Sequence, residues 1–245
     1  MPFTISHIAA VLPFRHVRKL SFTALIIGSM APDFEYILRM TLYGHYGHTL
    51  TGVVLFDVPV SIAVYLLYQW GIRQSLFMHL PRVLYIRCYG FIHADWKTYL
   101  STYPLWFLLS IIMGIFTHLL WDGLTHGSNY DFANYLTFLL IRIPVGRYHI
   151  PVHSILQGVS SIGGLIILVW YVWRMPVLTE TAANEGDVHL FWILVVVLAL
   201  LMFIVRLLIG IPNEKLIGQL IVIGMSAAGF SVAIVSIVYK VFKIN

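Results

Sequence analysis

In the stretch Thr117-His118-Leu-Leu-Trp-Asp122-Gly-Leu-Thr125-His126, two imidazoles and a carboxylate recur every four residues. On a helix a step of four advances by about 40°, so His118, Asp122 and His126 share one face. This is how one helix offers two or three ligands to a metal ion, with Asp122 either a ligand or the acceptor that orients a ligand histidine. The same pattern also suits a buried polar network that only joins helices. Three further segments carry similar chemistry. Ser29-Met-Ala-Pro32-Asp33-Phe-Glu35 puts two acids at a helix break, where Asp33 is either a ligand aimed into a cavity or an N-cap for the turn that follows. Gly44-His45-Tyr-Gly47-His48-Thr49 holds two histidines among glycines, with His48 the nearer to the apolar run that follows. Within that run, Phe56-Asp57-Val-Pro59 carries an acid with no local cation; a contact with Ser61 or another backbone is the alternative to a ligand role. Finally, Tyr148-His149-Ile-Pro151-Val-His153 places His153 on the first turn of a helix, where proline is tolerated, and His149 outside it. His7 is alone by spacing, and His16, His79 and His93 read as surface residues of basic or interfacial stretches.

Imidazoles and carboxylates without thiolates suit Zn, Mn, Fe or Mg rather than Cu(I) or an iron–sulfur cluster. Cys88 is the only cysteine, so neither a disulfide framework nor a cysteine-rich zinc site is available. A divalent metal, zinc first, is therefore the expected cofactor. Asp33, His48, Asp57, His118, Asp122, His126 and His153 are the candidate ligands. They outnumber the four positions of a tetrahedral zinc and point to two ions, the usual device for hydrolysing phosphate esters. A metal-activated water would be the nucleophile, with Asp122, Glu35 or His126 moving the proton. No Gly-x-Ser-x-Gly, His-Glu-x-x-His or P-loop pattern is present.

The elements that must hold these residues are membrane spans. Of 245 residues, 60% are hydrophobic and only 10% charged, against roughly 25% charged in a soluble domain; mean hydropathy is +0.87. A crossing helix needs about 20 apolar residues. Leu50–Trp70, Pro104–Trp121, Ile155–Trp173, Leu190–Ile211 and Leu216–Tyr239 qualify, and Arg206 snorkels at the end of the fourth. Leu20–Met30 is short and meets Pro32, so it reads as a half-span, with a further helical turn over Phe34–Leu42. Arg73–Tyr99 reads as one or two helices in the interface, and Met175–Val188, with Glu180, Glu185 and Asp187, as the most polar loop. The expected class is all-α, a polytopic transmembrane helix bundle of five to six spans plus interfacial helices, in a single integral membrane domain. Its N-terminus has no charged-then-apolar signal pattern, so insertion is expected to rely on the internal spans.

All histidines but His189 precede residue 154, as do Asp33, Glu35, Asp57, Asp95, Asp122 and Asp131 among the acids. Residues 1–160 thus bear the polar site, and residues 161–245, with Glu214 the one acid beyond residue 190, supply apolar walls. Counting crossings puts residues 31–49 and 122–153 on one side. Arg73, Arg82, Arg87, Lys97, Arg174, Lys240 and Lys243 fall on the other, which the positive-inside rule makes cytoplasmic. The site then faces outward. The net charge of +5 is scattered near span ends rather than gathered in a stripe, which argues against nucleic acid; membrane lipids are the expected surroundings and a lipid-like molecule the expected substrate.

The opening Met1-Pro-Phe-Thr-Ile-Ser-His7-Ile-Ala-Ala-Val-Leu-Pro13, with Gly28-Ser-Met-Ala-Pro-Asp33-Phe-Glu35-Tyr, Gly47-His48-Thr, Phe56-Asp57-Val-Pro59 and His118-Leu-Leu-Trp-Asp122-Gly-Leu-Thr125-His126, resembles an uncharacterised family of small bacterial membrane proteins, a domain of unknown function, and a bacterial inner membrane is the expected location. The resemblance covers roughly residues 1–160 and assigns no reaction. More distantly, the early His, the Pro-Asp, the Gly-His-Thr and the His-x-x-x-Asp-x-x-Thr look like the YdjM-type membrane proteins, regarded as metal-dependent hydrolases. That resemblance implies that His7, Asp33, His48, His118 and Asp122 converge, and it adds His7 to the ligands. His126 departs from the YdjM-type pattern, which carries another residue there. The functional expectation is a membrane-embedded metal-dependent hydrolase acting on a lipid or other amphiphilic phosphoester or ester. The alternatives are a non-catalytic membrane scaffold with a structural metal or polar network, and a proton- or metal-coupled transporter.

Overall fold

The computed structural model describes residues 3–92, 94–126, 136–177, 187–212 and 215–242. His93, Asp131, Glu180, Glu185, Glu214 and Lys243, all weighed in the sequence, lie outside the described residues. Short 3-10 turns over Thr4–His7 and Leu12–His16 lead into α1 (Phe22–Met30) and α2 (Phe34–Arg39). Next come α3 (Leu50–Met78), α4 (Arg82–Ile92), α5 (Trp96–Thr102) and α6 (Pro104–Thr125). A hairpin of β1 (Arg142–Val145) and β2 (Tyr148–Pro151) precedes α7 (Val152–Arg174), α8 (Val188–Ile209) and α9 (Leu216–Phe242). Helices α3, α6, α7, α8 and α9 are each long and apolar enough to cross a membrane. The protein is an all-α integral membrane protein, and the five spans among the described residues coincide with the five apolar runs of the sequence.

Departures from that expectation have local causes. Helix α1 covers nine residues, about 14 Å at 1.5 Å per residue, half of a hydrocarbon core. Pro32 does not stop the chain after it. Ala31–Asp33 winds as a 3-10 turn between α1 and α2, the tight geometry that short connecting turns adopt. Inside α3, the turn Val53–Asp57 is widened to π geometry. Pro59 gives no N–H to the carbonyl of Leu55 and its ring crowds that oxygen, so the turn ahead of it opens. The hairpin was not anticipated. Gly146, at φ +61°, supplies the first position of its two-residue turn, and Pro144 pairs with His149.

The chain divides into two compact units. The first comprises Met1–Asp33, Tyr46–Ser61 and Tyr103–Tyr171. Its centre is the contact of α1 with α6. A Cβ on Gly28 would strike the backbone of Ile111, and one on Gly114 would strike the backbone of Leu25 and Ser29. Small residues on both helices are what let two backbones come this close within a membrane. The buried face of α6 runs Phe107, Ile111, Gly114, Ile115, His118, Asp122, a helical period that carries the ligand face inward. At the start of α1, Ser21 caps the helix by accepting from the Ala24 N–H (3.2 Å), and its own N–H donates to Ser110 Oγ (2.9 Å).

The N-terminal turn is tied to α7. Ser6 Oγ donates to the Ser161 carbonyl (2.8 Å), the Phe3 N–H donates to Ser161 Oγ (3.2 Å), and a Cβ on Gly164 would lie 2.7 Å from that of Ser6.

The second unit comprises Phe34–His45, Ile62–Thr102 and Val172–Asn245. Phe191, Val195, Val235 and Tyr239 form its packed core between α8 and α9. Gln219 Oε1 accepts from Thr41 Oγ1 (3.0 Å) and the Leu42 N–H (2.9 Å). His79, read from the sequence as a surface residue, is instead buried here, its ring stacked on Phe191 at 4.6 Å and edge-on to Tyr239 at 4.8 Å. Its Nδ1 donates to the Ser75 carbonyl (2.7 Å), the aromatic rings cover its faces, and its Nε2 is buried without a hydrogen bond.

Candidate metal centre

Four pieces of the first unit meet at one point: the N-terminal turn, the Ala31–Asp33 turn, the residues before α3, and the last two turns of α6. Each arrives through a close backbone approach. Gly28 and Gly114 bring the end of α1, and so Asp33, against the face of α6 that bears His118 and Asp122. Gly47 lies on the Pro32 carbonyl with no room for a Cβ, which sets His48 beside Asp33. Thr49 then caps α3 through the Gly52 N–H (2.9 Å), so that His48 is held at the mouth of the helix. Ser6 against Gly164 presents His7.

The result is two overlapping groups whose ligand atoms lie within 4.8 Å of one another: His7, His118 and Asp122; and Asp33, His48 and His118. Asp122 is the hub. Its Oδ1 is 3.5 Å from His7 Nε2 and 3.5 Å from His126 Nδ1, and its Oδ2 is 3.3 Å from His48 Nε2 and 3.4 Å from His118 Nε2. Asp33 Oδ1 is 3.6 Å from His48 Nε2 and 3.8 Å from His118 Nε2. All of these exceed ordinary hydrogen-bond lengths for charged partners, which are about 2.7–2.9 Å. His7 Nδ1 and Nε2, His118 Nε2, Asp33 Oδ1 and Asp122 Oδ1 are buried without a hydrogen bond. Orphaned buried atoms of this kind are rare in folded proteins and call for an explanation. Lone pairs aimed at one small volume from a distance slightly too long for hydrogen bonds are what a cation between them requires.

The outer contacts prepare the ring nitrogens. His118 Nδ1 lies 2.7 Å from the Ser29 carbonyl. A carbonyl only accepts, so Nδ1 carries a proton, and Nε2 is the nitrogen left to face the centre. Asp33 Oδ2 accepts a 2.6 Å hydrogen bond from the Thr4 hydroxyl, leaving Oδ1 for the centre. That bond also answers the capping alternative, since Asp33 is held by Thr4 and not by the N–H groups of α2. Burial pushes the His7 imidazole down to about 2, against the pull of Asp122, so the ring is neutral and able to donate a lone pair. Burial also pushes the Asp33 carboxyl up; a bound cation would return it to the carboxylate form.

His126 stands behind Asp122. Its Nδ1 faces Asp122, its Nε2 lies 3.3 Å from Gln157 Nε2, and it is 21% exposed. It joins neither ligand group. Burial lowers its imidazole to about 4.

The remaining candidates join neither group. His153 is half-buried on the first turn of α7, its Nδ1 3.3 Å from Ser154 Oγ, and is in neither group. Asp57 is fully buried in the widened turn of α3 and is in neither group. Glu35 belongs to the second unit, where its carboxylate pairs with Arg39 Nε (3.1 Å) and accepts the His45 N–H (2.9 Å). Those partners explain its burial without a role in chemistry. His149 is exposed on β2, and His45 packs edge-on to Tyr43.

Three participants escaped the sequence. Thr4 and Gln157 are ordinary polar residues with no periodic mark. The Ser29 contribution is a backbone carbonyl, which no residue type announces.

No curated protein and no solved structure matches the chain. A family model described as a domain of unknown function (DUF4184) matches residues 1–241, well beyond the 1–160 over which the motifs alone carried the resemblance, and the chain belongs to that family.

Proposed function

We propose that this protein is a membrane-embedded, metal-dependent hydrolase acting on a lipid or other amphiphilic phosphoester or ester. The observation that carries the reading is the convergence of buried donor atoms without hydrogen bonds from His7, Asp33, His118 and Asp122, with His48 at the same point. Three imidazoles and two carboxylates make a donor set suited to zinc, and equally acceptable to manganese or iron. Because Nδ1 of His118 is committed to Ser29, its one remaining lone pair serves a single ion; the overlap of the two groups on His118 favours one centre over two. Bound there, the ion would lower the pKa of a coordinated water toward 7 and polarise an ester or phosphoryl oxygen. His126, partly exposed and in line with Asp122, is suited to pass the proton outward.

A non-catalytic network that only joined helices would be expected to satisfy its own buried polar atoms, because each unsatisfied one costs about 1–3 kcal/mol. The depth also favours chemistry on an amphiphile. Asp122 and His118 lie three and seven residues from the end of α6 at Thr125, about 4.5 and 10 Å along the helix, near the boundary of headgroups and chains. The positive-inside count favours an outward orientation for this end of the spans, and the family resemblance favours a bacterial inner membrane.

The test is elemental analysis of protein purified in detergent. About one equivalent of transition metal in the wild type, lost in His118→Ala and Asp122→Ala, supports the reading, and the loaded protein should then release product from a panel of membrane-lipid esters and phosphoesters. Protein that purifies and reconstitutes without any bound divalent metal overturns it.

A further inference from the structure

A cleft of about 400 Å³ opens beside the centre, between the N-terminal turn and α7. Its walls are mostly apolar: Ala9 and Ala10 on one side, Leu156, Val159, Gly163 and Ile167 on the other, with Trp121 at the α6 end and only Ser6 and Ser160 adding hydroxyls. His7 is among the residues that border it, its side chain buried behind the wall. The α7 residues recur at steps of three and four and so form one face of that helix. Gly163 leaves this face without a side chain, and a Cβ placed there meets nothing within 4 Å.

Its direction is fixed by the chain. Helix α6 ends at Thr125 and α7 begins at Val152 with no span among the described residues between them, so both ends lie on the same side. From Val152, Leu156 is four residues in and Ile167 fifteen, so the cleft descends from about 6 Å to about 22 Å along the helix. It starts at the depth of the metal centre and runs toward the middle of the bilayer. The rest of α7 is largely exposed, with Ile162, Ile166 and Val169 uncovered, and the cleft's own Val159 is exposed too, so the cleft opens to the hydrocarbon of the membrane. Its volume lies within the range of about 300–1,000 Å³ usual for ligand pockets.

We infer that this cleft holds one acyl chain of a membrane lipid, with the ester or phosphoester end of that lipid at His7. The inference rests on the hydrolase reading for what happens at the polar end, while the cleft's occupancy is measured separately. An apolar trough that begins at a cluster of buried ligands and sinks into the chain region fits a single alkyl chain. It would select an amphiphile over a water-soluble ester.

The test uses the full chain in phosphatidylethanolamine vesicles containing a minor fraction of the same lipid with a diazirine on one acyl chain. After photolysis, adducts are mapped by mass spectrometry. The expected result is labelling concentrated on Ala9–Ala10 and on the Leu156–Ile167 face, above that of the exposed faces of α8. Gly163→Trp fills the trough and should lower that labelling by about tenfold or more, the worth of roughly two buried methylene groups. Gly158→Trp, on the same helix with open space around it but outside the cleft, should leave labelling unchanged and controls for folding. Metal content is read in parallel and should be the same in all three proteins. Uniform labelling of every exposed span, or equal labelling with Gly163→Trp, overturns the chain-binding inference. Loss of metal with labelling intact would instead strike the hydrolase reading and leave the cleft.

Discussion

The imidazoles of His7 and His118 stack with ring centroids 3.8 Å apart and planes 15° from parallel, and both rings are buried. Two cations cannot share that arrangement, so at least one ring is neutral, and each points Nε2 toward Asp122. The stack thus brings one lone pair from a 3-10 turn and one from a membrane span to the same carboxylate. A His7→Phe variant keeps a stacked ring but removes the nitrogen. It should fold with a melting temperature near that of the wild type and lose more metal affinity than the roughly 10–100-fold typical of an outer contact. Chelator competition measures the loss; unchanged affinity would remove His7 from the centre.

The 2.7 Å contact of His118 Nδ1 with the Ser29 carbonyl sets the tautomer. In protein labelled with ¹⁵N-histidine, His118 should show a protonated Nδ1 both with and without metal, and only its Nε2 resonance should move on loading. A shift at Nδ1 on loading would contradict the assignment.

Thr4 holds Asp33 Oδ2 at 2.6 Å. Thr4→Val keeps the shape and removes the donor. The expected cost is about 1.5–3 kcal/mol of stability, the usual worth of a hydrogen bond to a charged group, with metal affinity down roughly 10–100-fold. Thermal unfolding and the same chelator titration check the two effects.

Gly28 has no room for a Cβ against Ile111, whereas Gly158 has open space. Gly28→Ala should push α1 from α6, cost about 1–3 kcal/mol as overpacking does, and weaken metal binding because Asp33 and His118 ride on the two elements. Gly158→Ala should be neutral or slightly stabilising, by up to about 1 kcal/mol from helix propensity. Equal effects of the two substitutions would mean that the close helix contact does not position the site.

His126 touches Asp122 but stands outside both ligand groups. His126→Ala should therefore keep its metal and lower turnover by roughly 10²–10⁴-fold, the range for a lost proton-transfer group. Loss of the metal together with turnover would make it a ligand instead.

The spans and the ligand face of α6 were legible in the residues alone. Continuous apolar runs of about 20 residues have no other stable home than a helix across a bilayer, and the step of four from His118 to Asp122 lies within one such run. The identities of Asp33 and His48 were also legible, because a carboxylate at a proline turn and a histidine between glycines are costly at membrane depth and stand out against an apolar background. What spacing could not decide was the company each residue keeps. His7 is a lone histidine by sequence and lies at the centre in space; His153 and Asp57 look equally suited by sequence and join neither group. The difference comes from the glycine contacts at Gly28, Gly114, Gly47 and Gly164, which choose the segments that meet. Glu35 was drawn off by Arg39 and the His45 N–H, a local salt bridge that any acid four residues before an arginine can form. His79 was misjudged because its neighbours in sequence are basic, while its neighbours in space are Phe191 and Tyr239. Sequence alone determined that the chain crosses a membrane and carries on one span side chains of the kinds that can bind a metal, because hydropathy and helical period are local properties. Only tertiary structure selected which of those side chains share a centre, because that depends on backbones approaching closely between segments far apart in the chain.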